Sequence, residues 1–330
     1  MRNREEVPTC QPPEAPEHTT AEKYTTATTQ TPSYRLRRGL LFAVTGGILW
    51  GFSGTCGQFL FRFEHIDSGW LTVTRMLLSG IILLGGSLLS GKRQALLRVW
   101  QTPKDARRLL LFSLLGLTSC QYTYLTAIAY SNAGTATVLQ YLGPALIMII
   151  SCLAAMRLPS RRELIAVLLA IGGTFLLATH GVPGALVISK EGLFWGLSSA
   201  VAMVLYTMLP GSLIRRYSST VIVGYGMLIG GLFLFFVLGY WRYQVSFEPA
   251  LLLGVAAIVL IGTALAFTLY LQGVSDAGSV RASMAACVEP VAATVISALW
   301  LGTSFTPIDV AGLVMIVTTV LLLNYQPKQQ

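Results

Sequence analysis

The amino-acid sequence predicts an all-α polytopic membrane protein: ten transmembrane helices in two inverted five-helix repeats, with both termini cytoplasmic. Three observations predict this class. Of the 330 residues, 54% are hydrophobic and 11% charged, with a mean hydropathy of +0.65, whereas a soluble domain carries about 25% charge. Apolar stretches near the ~20 residues that cross a ~30 Å hydrocarbon core recur along the whole chain. The chain also resembles itself at a nearly fixed offset.

The elements follow in order. Residues 1–34 are polar, with Thr, Pro and Glu and no apolar face to bury, so this tail is expected to be disordered. Its start, MRNREEVPTC, lacks the apolar region of a cleaved signal peptide, which leaves the first helix, 39–60, as the insertion signal. The second stretch, 68–90, carries Arg75 about 10 Å below its outer face at ~1.5 Å per residue. The third and fourth, 107–129 and 132–155, hold most of the polar aromatic residues of the first half, and 162–180 closes it. The second half runs through 191–210, 220–240, 250–272, 279–300 and 306–325. Its ninth stretch places Glu289 beside Pro290, about 15 Å in from Ser279 and so near the middle of a ~30 Å core. The two repeats are residues 35–180 and 191–325.

Sliding the chain by 146 residues aligns TYLTAIAYSNAGTATVLQYLGPALIM (123–148) with LYLQGVSDAGSVRASMAACVEPVAAT (269–294). Tyr124 then meets Tyr270, Ala136 meets Ala282, Pro144 meets Pro290 and Glu163 meets Asp309. At an offset of 145, LWG (49–51) meets FWG (194–196). Each half holds five crossings, and an odd number forces the two halves into opposite orientations. Inverted repeats of this kind build secondary transporters, which rock around a site near the midplane.

Charge sets the orientation. With the N-terminus inside, nineteen of the 23 Lys and Arg residues fall on cytoplasmic segments, while Arg62, Lys190 and Arg242 fall outside and Arg75 lies within a span. That asymmetry is the positive-inside signature. The net charge of +9 therefore reports topology and lipid headgroups, and no nucleic-acid partner is expected. Cys56, Cys120, Cys152 and Cys287 lie in spans without CxxC spacing and Cys10 lies in the tail, so they read as small packing residues.

The motifs ILWGFSG (48–54), TRMLLSG (74–80), SNAGTATVLQYLGP (131–144), LFWGLSSA (193–200) and VRASMAACVEPVAA (280–293) resemble the drug/metabolite transporter superfamily, in particular EamA-type permeases of ten helices. The resemblance covers about residues 39–325. It implies two inverted five-helix halves, a central cavity lined by helices 1 to 4 and 6 to 9, and helices 5 and 10 at the periphery. It also implies a bacterial inner-membrane location and amino acids, other small metabolites or toxic organics as cargo, often carried outward. One departure stands out: the fourth helix has Gly143 before its proline where the ninth has Glu289.

Proline in a spanning helix removes a backbone donor and frees the carbonyl four residues earlier. That carbonyl belongs to Gln140 for Pro144 and to Ala286 for Pro290. Both prolines are expected to kink their helices, either for packing or to let them bend during alternating access. Glu289 is the one deep acid of fourteen acidic residues, and a charge there costs roughly 2.5 to 3.5 kcal/mol. It either bonds a neighbouring helix as a neutral acid, couples protons, or meets a substrate amine. Arg75 either snorkels outward, pairs with Glu289, or receives a substrate carboxylate. The remaining cavity candidates are Trp50, Ser53, Gln121, Tyr122, Tyr124, Gln140 and Tyr141, then Trp195, Ser199, Tyr206, Phe267 and Tyr270. Aromatic walls with a few polar groups suit a partly apolar metabolite, although singly such residues also serve as interhelical bonds. Trp70, Tyr240 and Trp241, near span ends, read as interfacial belt residues, and Gly47 with Gly51 and Gly226 with Gly230 read as close-packing pairs.

Two motifs fail on inspection. GSLLSGKR (86–93) ends in Arg93 where a P-loop needs Ser or Thr for magnesium, and no strand precedes it. GFSG (51–54) lacks an intramembrane histidine to act as base, since His18, His65 and His180 lie outside the spans or at an end. No enzyme activity, cofactor or metal is expected. The sequence thus points to a secondary transporter for a small organic metabolite, amino acids or related amphipathic compounds foremost, with export the expected direction and protons a candidate coupling ion. A passive channel for small solutes is the alternative. Oligomeric state leaves no trace in the residues.

Overall fold

A computed structural model describes residues 32–91, 93–182 and 186–324, and every regular element among them is helical. The expectation of a disordered tail covers residues 1–34: residues 1–31 lie outside the described residues, and Pro32, Ser33 and Tyr34 already belong to the first helix. The helices are α1 (Pro32–Phe63), α2 (Ser68–Leu89), the short α3 (Arg93–Gln101), α4 (Pro103–Tyr130), α5 (Ala133–Ala154) and α6 (Arg161–Thr179). They continue as α7 (Lys190–Met208), the short α8 (Gly211–Arg216), α9 (Ser219–Val237) and α10 (Pro249–Ala277). Last come α11 (Ser279–Ala286 continuing into Val288–Leu301) and α12 (Pro307–Asn324).

Eight of these are long and apolar enough to cross a bilayer. The sequence places ten crossings, and helices stand at the other two positions with weaker credentials. In α7 the charges of Lys190 and Glu191 in the opening turn dilute the apolar run, and α12 is apolar over Pro307–Leu323 only.

Packing is dominated by α1, which runs antiparallel to α10. Gly39 lies against Ala277, Gly46 against Ala266 and Tyr270, and Leu60 against Gly254. The other side of α1 packs on α11, where a Cβ at Gly47 would sit 2.8 Å from Ala286 O and one at Gly51 would sit 2.7 Å from Ala293 N. No side chain fits there, which is why this stripe of α1 is glycine. In the same manner α7 packs on α4 and α5, α2 on α9, and α6 on α12.

Two helices carry a wide turn. Phe112–Thr118 of α4 and Ala257–Leu265 of α10 are π-helical, and in each a threonine caps the loosened ladder. Thr118 Oγ1 donates to Ser113 O at 2.6 Å, and Thr263 Oγ1 donates to Ile258 O at 3.0 Å. Two other helices are interrupted: α5 at Tyr141 and Leu142, α11 at Cys287. The breaks fall just before Pro144 and Pro290, directly after the carbonyls of Gln140 and Ala286 that these prolines free. Pro144 and Pro290 sit in the first turn of the helical segments that follow, where a missing N–H costs nothing, so the chain bends just before them.

Both α6 and α12 begin on reciprocal caps. Ser160 Oγ accepts from Glu163 N while Glu163 Oε2 accepts from Ser160 N at 2.7 Å. Thr306 Oγ1 accepts from Asp309 N at 3.3 Å while Asp309 Oδ2 accepts from Thr306 N at 2.7 Å. Asp309 also meets His180 Nε2 at 2.9 Å, tying the end of α6 to the start of α12. At the start of α6, Arg157 pairs with Glu163 of its first turn at 2.7 Å. Cys56, Cys120, Cys152 and Cys287 are buried free thiols.

Trp70 is a correction. It is 4% exposed and stacks on Tyr240 at 6.1 Å, so it belongs to an aromatic cluster between α2 and the end of α9 and does not face lipid. Asp67 caps α2 by accepting from Gly69 N and Trp70 N, and that turn directs the indole inward. Trp241, by contrast, is 60% exposed.

Candidate functional site

The interhelical space opens at one end into a cavity of 1190 Å³. Its mouth is formed by residues 160–163, Ile214, Ser219, Thr220 and Leu323, the end at which Arg38 pairs with Asp276 at 2.8 Å. Its walls take Tyr141 and Pro144 from α5, Met203 and Tyr206 from α7, Phe267 and Tyr270 from α10, and Phe112 from α4. Trp50 of α1 packs edge-on against Phe267 at 5.2 Å and tilts against Tyr270 at 5.0 Å. Glu289 reaches the same cavity from the first turn of the second segment of α11.

Tyr141 Oη donates to Glu289 Oε2 at 2.9 Å and lies 3.3 Å from Ala286 O. Arg75 is 6% exposed, and its Nε donates to Thr263 Oγ1 at 3.4 Å. Arg75 and Glu289 are electrostatic neighbours, yet among the described residues no carboxylate stands within ion-pair distance of Arg75. A guanidinium and a carboxyl are therefore held near each other in an apolar interior without a direct ion pair.

Of the residues singled out from sequence, Trp50, Tyr141, Pro144, Tyr206, Phe267, Tyr270 and Glu289 line the cavity together. Arg75 and the others are not among its lining residues. Ser53 is buried against Gly262 with its hydroxyl unpartnered, and Tyr124 Oη shares a 2.8 Å bond with Thr137 Oγ1. Gln140 donates to Cys120 Sγ at 3.6 Å, Ser199 Oγ donates to Gly196 O at 2.7 Å, and Tyr122 packs edge-on against Trp195 at 5.7 Å. Gln121 is buried in α4, and Pro290 is buried in α11. Phe112, Met148 and Met203 line the cavity and were not legible in the sequence. Only the rotation of each helix about its axis turns such ordinary apolar residues inward.

The opposite end is shut. Gln58, about 12 Å along α1 from Trp50 at ~1.5 Å per residue, accepts from Ala133 N at 2.9 Å and from Ser297 Oγ at 2.6 Å. Its amide donates to Thr303 Oγ1 at 2.9 Å, so one side chain joins α1, α5, α11 and the loop before α12. Arg62 Nη1 donates to Leu301 O at 3.0 Å, and Trp300 stacks on Phe59 at 5.4 Å. At this end too, burial and the Asp67 carboxylate push the Tyr243 hydroxyl up to about 12, so it stays a donor at neutral pH.

Comparison with known proteins places this geometry. The model of the EamA-like transporter family matches residues 37–179 and again 190–325. YicL of Salmonella typhimurium (strain LT2), described as an uncharacterized inner membrane transporter, is 39% identical over 296 residues, 89% of this chain and 97% of its own. A crystal structure at 17% identity, covering 86% of this chain and 95% of the other with a TM-score of 0.57, shares the fold. With the family model spanning nearly all of the described helices, this multi-pass membrane protein belongs to the EamA-like transporter family.

Proposed function

We propose that the protein is a secondary carrier of ten crossings in two inverted repeats that exports a small amphipathic metabolite, amino acids foremost, from the bacterial cytoplasm by alternating access. The observation that carries this reading is the one-ended cavity, open at residues 160–163 and shut at Gln58. A carrier exposes its site to one side at a time, whereas a pore is continuous. The basic segments flank the open mouth, so by the positive-inside rule this end faces the cytoplasm and is poised to load.

The repeat reading draws support from paired features. α1 contacts α10 and α11 as α7 contacts α4 and α5, the pattern expected when two halves exchange by a two-fold axis. The wide turns, the breaks and the reciprocal caps also recur at 145 or 146 residues. For the cargo, Glu289 offers the cavity a group for an ammonium, and the aromatic wall suits an apolar side chain.

A panel of labelled amino acids and amines in proteoliposomes, with and without an imposed pH gradient, tests the reading. Saturable, counterflow-competent transport driven by the gradient is expected. Glu289→Gln should lose the gradient-driven component while remaining folded. Non-saturating conductance would replace the carrier with a channel, and unaltered pH dependence in Glu289→Gln would remove the coupling role.

A further inference from the structure

We infer that Tyr141 is a positioning residue that carries the protonation state of Glu289 to the break in α11. The inference rests on the proposed coupling role of Glu289 and adds to it the route by which a proton is felt by the backbone. Tyr141 stands at the break in α5, and its Oη reaches two acceptors on α11, Glu289 Oε2 at 2.9 Å and Ala286 O at 3.3 Å. A phenol has a single proton to donate. Ala286 O is the acceptor that a helical N–H at position 290 would take, and Pro290 has no N–H. One hydroxyl thus faces both a carboxylate and a backbone carbonyl lacking its helical partner.

The carboxyl decides which of the two it serves. An ionised Glu289 can only accept, so the charge-assisted bond claims the phenolic proton and Ala286 O goes without it. A protonated Glu289 has an O–H of its own, which donates to Tyr141 Oη and leaves the phenol to donate to Ala286 O. The run of bonds reverses direction, the added proton stays on Glu289, and Tyr141 keeps its own. Protonation therefore satisfies the carbonyl at the weak point of α11 and pins it to the weak point of α5, and ionisation releases it. Space around this carbonyl is tight, because α1 covers it at Gly47.

The other ionisable side chains near Glu289 are Arg75 on α2, Cys120 and Tyr124 on α4, Tyr206 on α7, Tyr270 on α10 and Cys287 on α11. Arg75, Tyr124 and Cys287 are bonded to Thr263, Thr137 and Ser283. Tyr141 is the one whose hydroxyl spans Glu289 and Ala286.

Infrared difference spectroscopy of the full chain in lipid, recorded as a pH titration, reads this directly and needs no substrate. The carboxylic C=O band is assigned by its loss in Glu289→Gln, and the phenolic C–O band by its loss in Tyr141→Phe. Both bands are expected to shift with a single midpoint. In Pro290→Ala a backbone N–H returns to Ala286 O, so the carboxyl should still titrate while the phenolic shift is lost. A phenolic band that stays put as the carboxyl titrates overturns the inference. A carboxyl that never titrates overturns it too, as does an undiminished phenolic shift in folded Pro290→Ala. In transport, using whichever compound the panel identifies, Tyr141→Phe should flatten the pH profile to that of Glu289→Gln, and the double variant should be no flatter than either. A wild-type profile already flat defeats the coupling reading alone, and the infrared titration then still decides the role of Tyr141.

Discussion

Glu289 and Gly143 occupy matching places after the two helix breaks, and their difference gives the cavity its chemistry. At Gly143 the absent side chain lets Met203 of α7 approach, since a Cβ there would lie 2.9 Å from Met203 Cγ. At Glu289 the backbone is covered instead by Gly51, and the carboxylate turns to Tyr141. Glu289 was legible because a carboxylate in an apolar run is costly and so conspicuous. Its partner was not, because Tyr141 looks like any other polar aromatic residue until α5 and α11 are seen to face each other. Close packing at this scale is testable. Gly51→Ala puts a methyl against backbone atoms that have no room to retreat, so it should destabilise the protein by about 1–3 kcal/mol. Gly85 has nothing within 4 Å, and Gly85→Ala should be neutral or stabilising by up to about 1 kcal/mol. Thermal denaturation of the two variants in one detergent makes the comparison, and equal losses would refute the packing argument.

At the scale of elements, the helices recovered from hydropathy stand where the sequence placed them, and the breaks in α5 and α11 lie just before the two prolines. A proline announces a lost donor, and the backbone answers by ending one segment and starting the next so that the ring falls in a first turn. The wide turns gave no such signal. Nothing in FSLLGLT or AIVLIGTAL departs from an ordinary apolar helix, and the threonine that closes each turn is too common to mark it. The shut end depends on one residue that composition would not pick out, Gln58, whose bonds to Ala133, Ser297 and Thr303 join four elements. Gln58→Leu should shift the balance toward opening at this end. Labelling of a cysteine at the fully buried Ala133 is expected to quicken roughly tenfold, which corresponds to about 1.4 kcal/mol of lost closure. An unchanged rate would mean that the bonds decorate a closure held by the aromatic stacks.

For the whole molecule, orientation follows from charge and the route from the cavity. A membrane-impermeant thiol reagent should reach cysteines placed at 97 and 330 only from the cytoplasm, and labelling of either from outside would reverse the assigned direction of transport. Class and family were legible because hydropathy is a property of long stretches and the motifs recur in both halves. The cavity was legible only in part, since which face each helix turns inward depends on all its neighbours at once. The two π turns hold a last consequence. Thr118 and Thr263 stand 145 residues apart, Tyr124 and Tyr270 stand 146 apart, and the turn in α10 is nine residues long where that in α4 is seven. A widened turn swallows an extra residue without opening a loop. The halves can thus keep their breaks and caps in step while α10 shows the cavity a face rotated from that of α4, like two keys cut from one blank with a single tooth displaced.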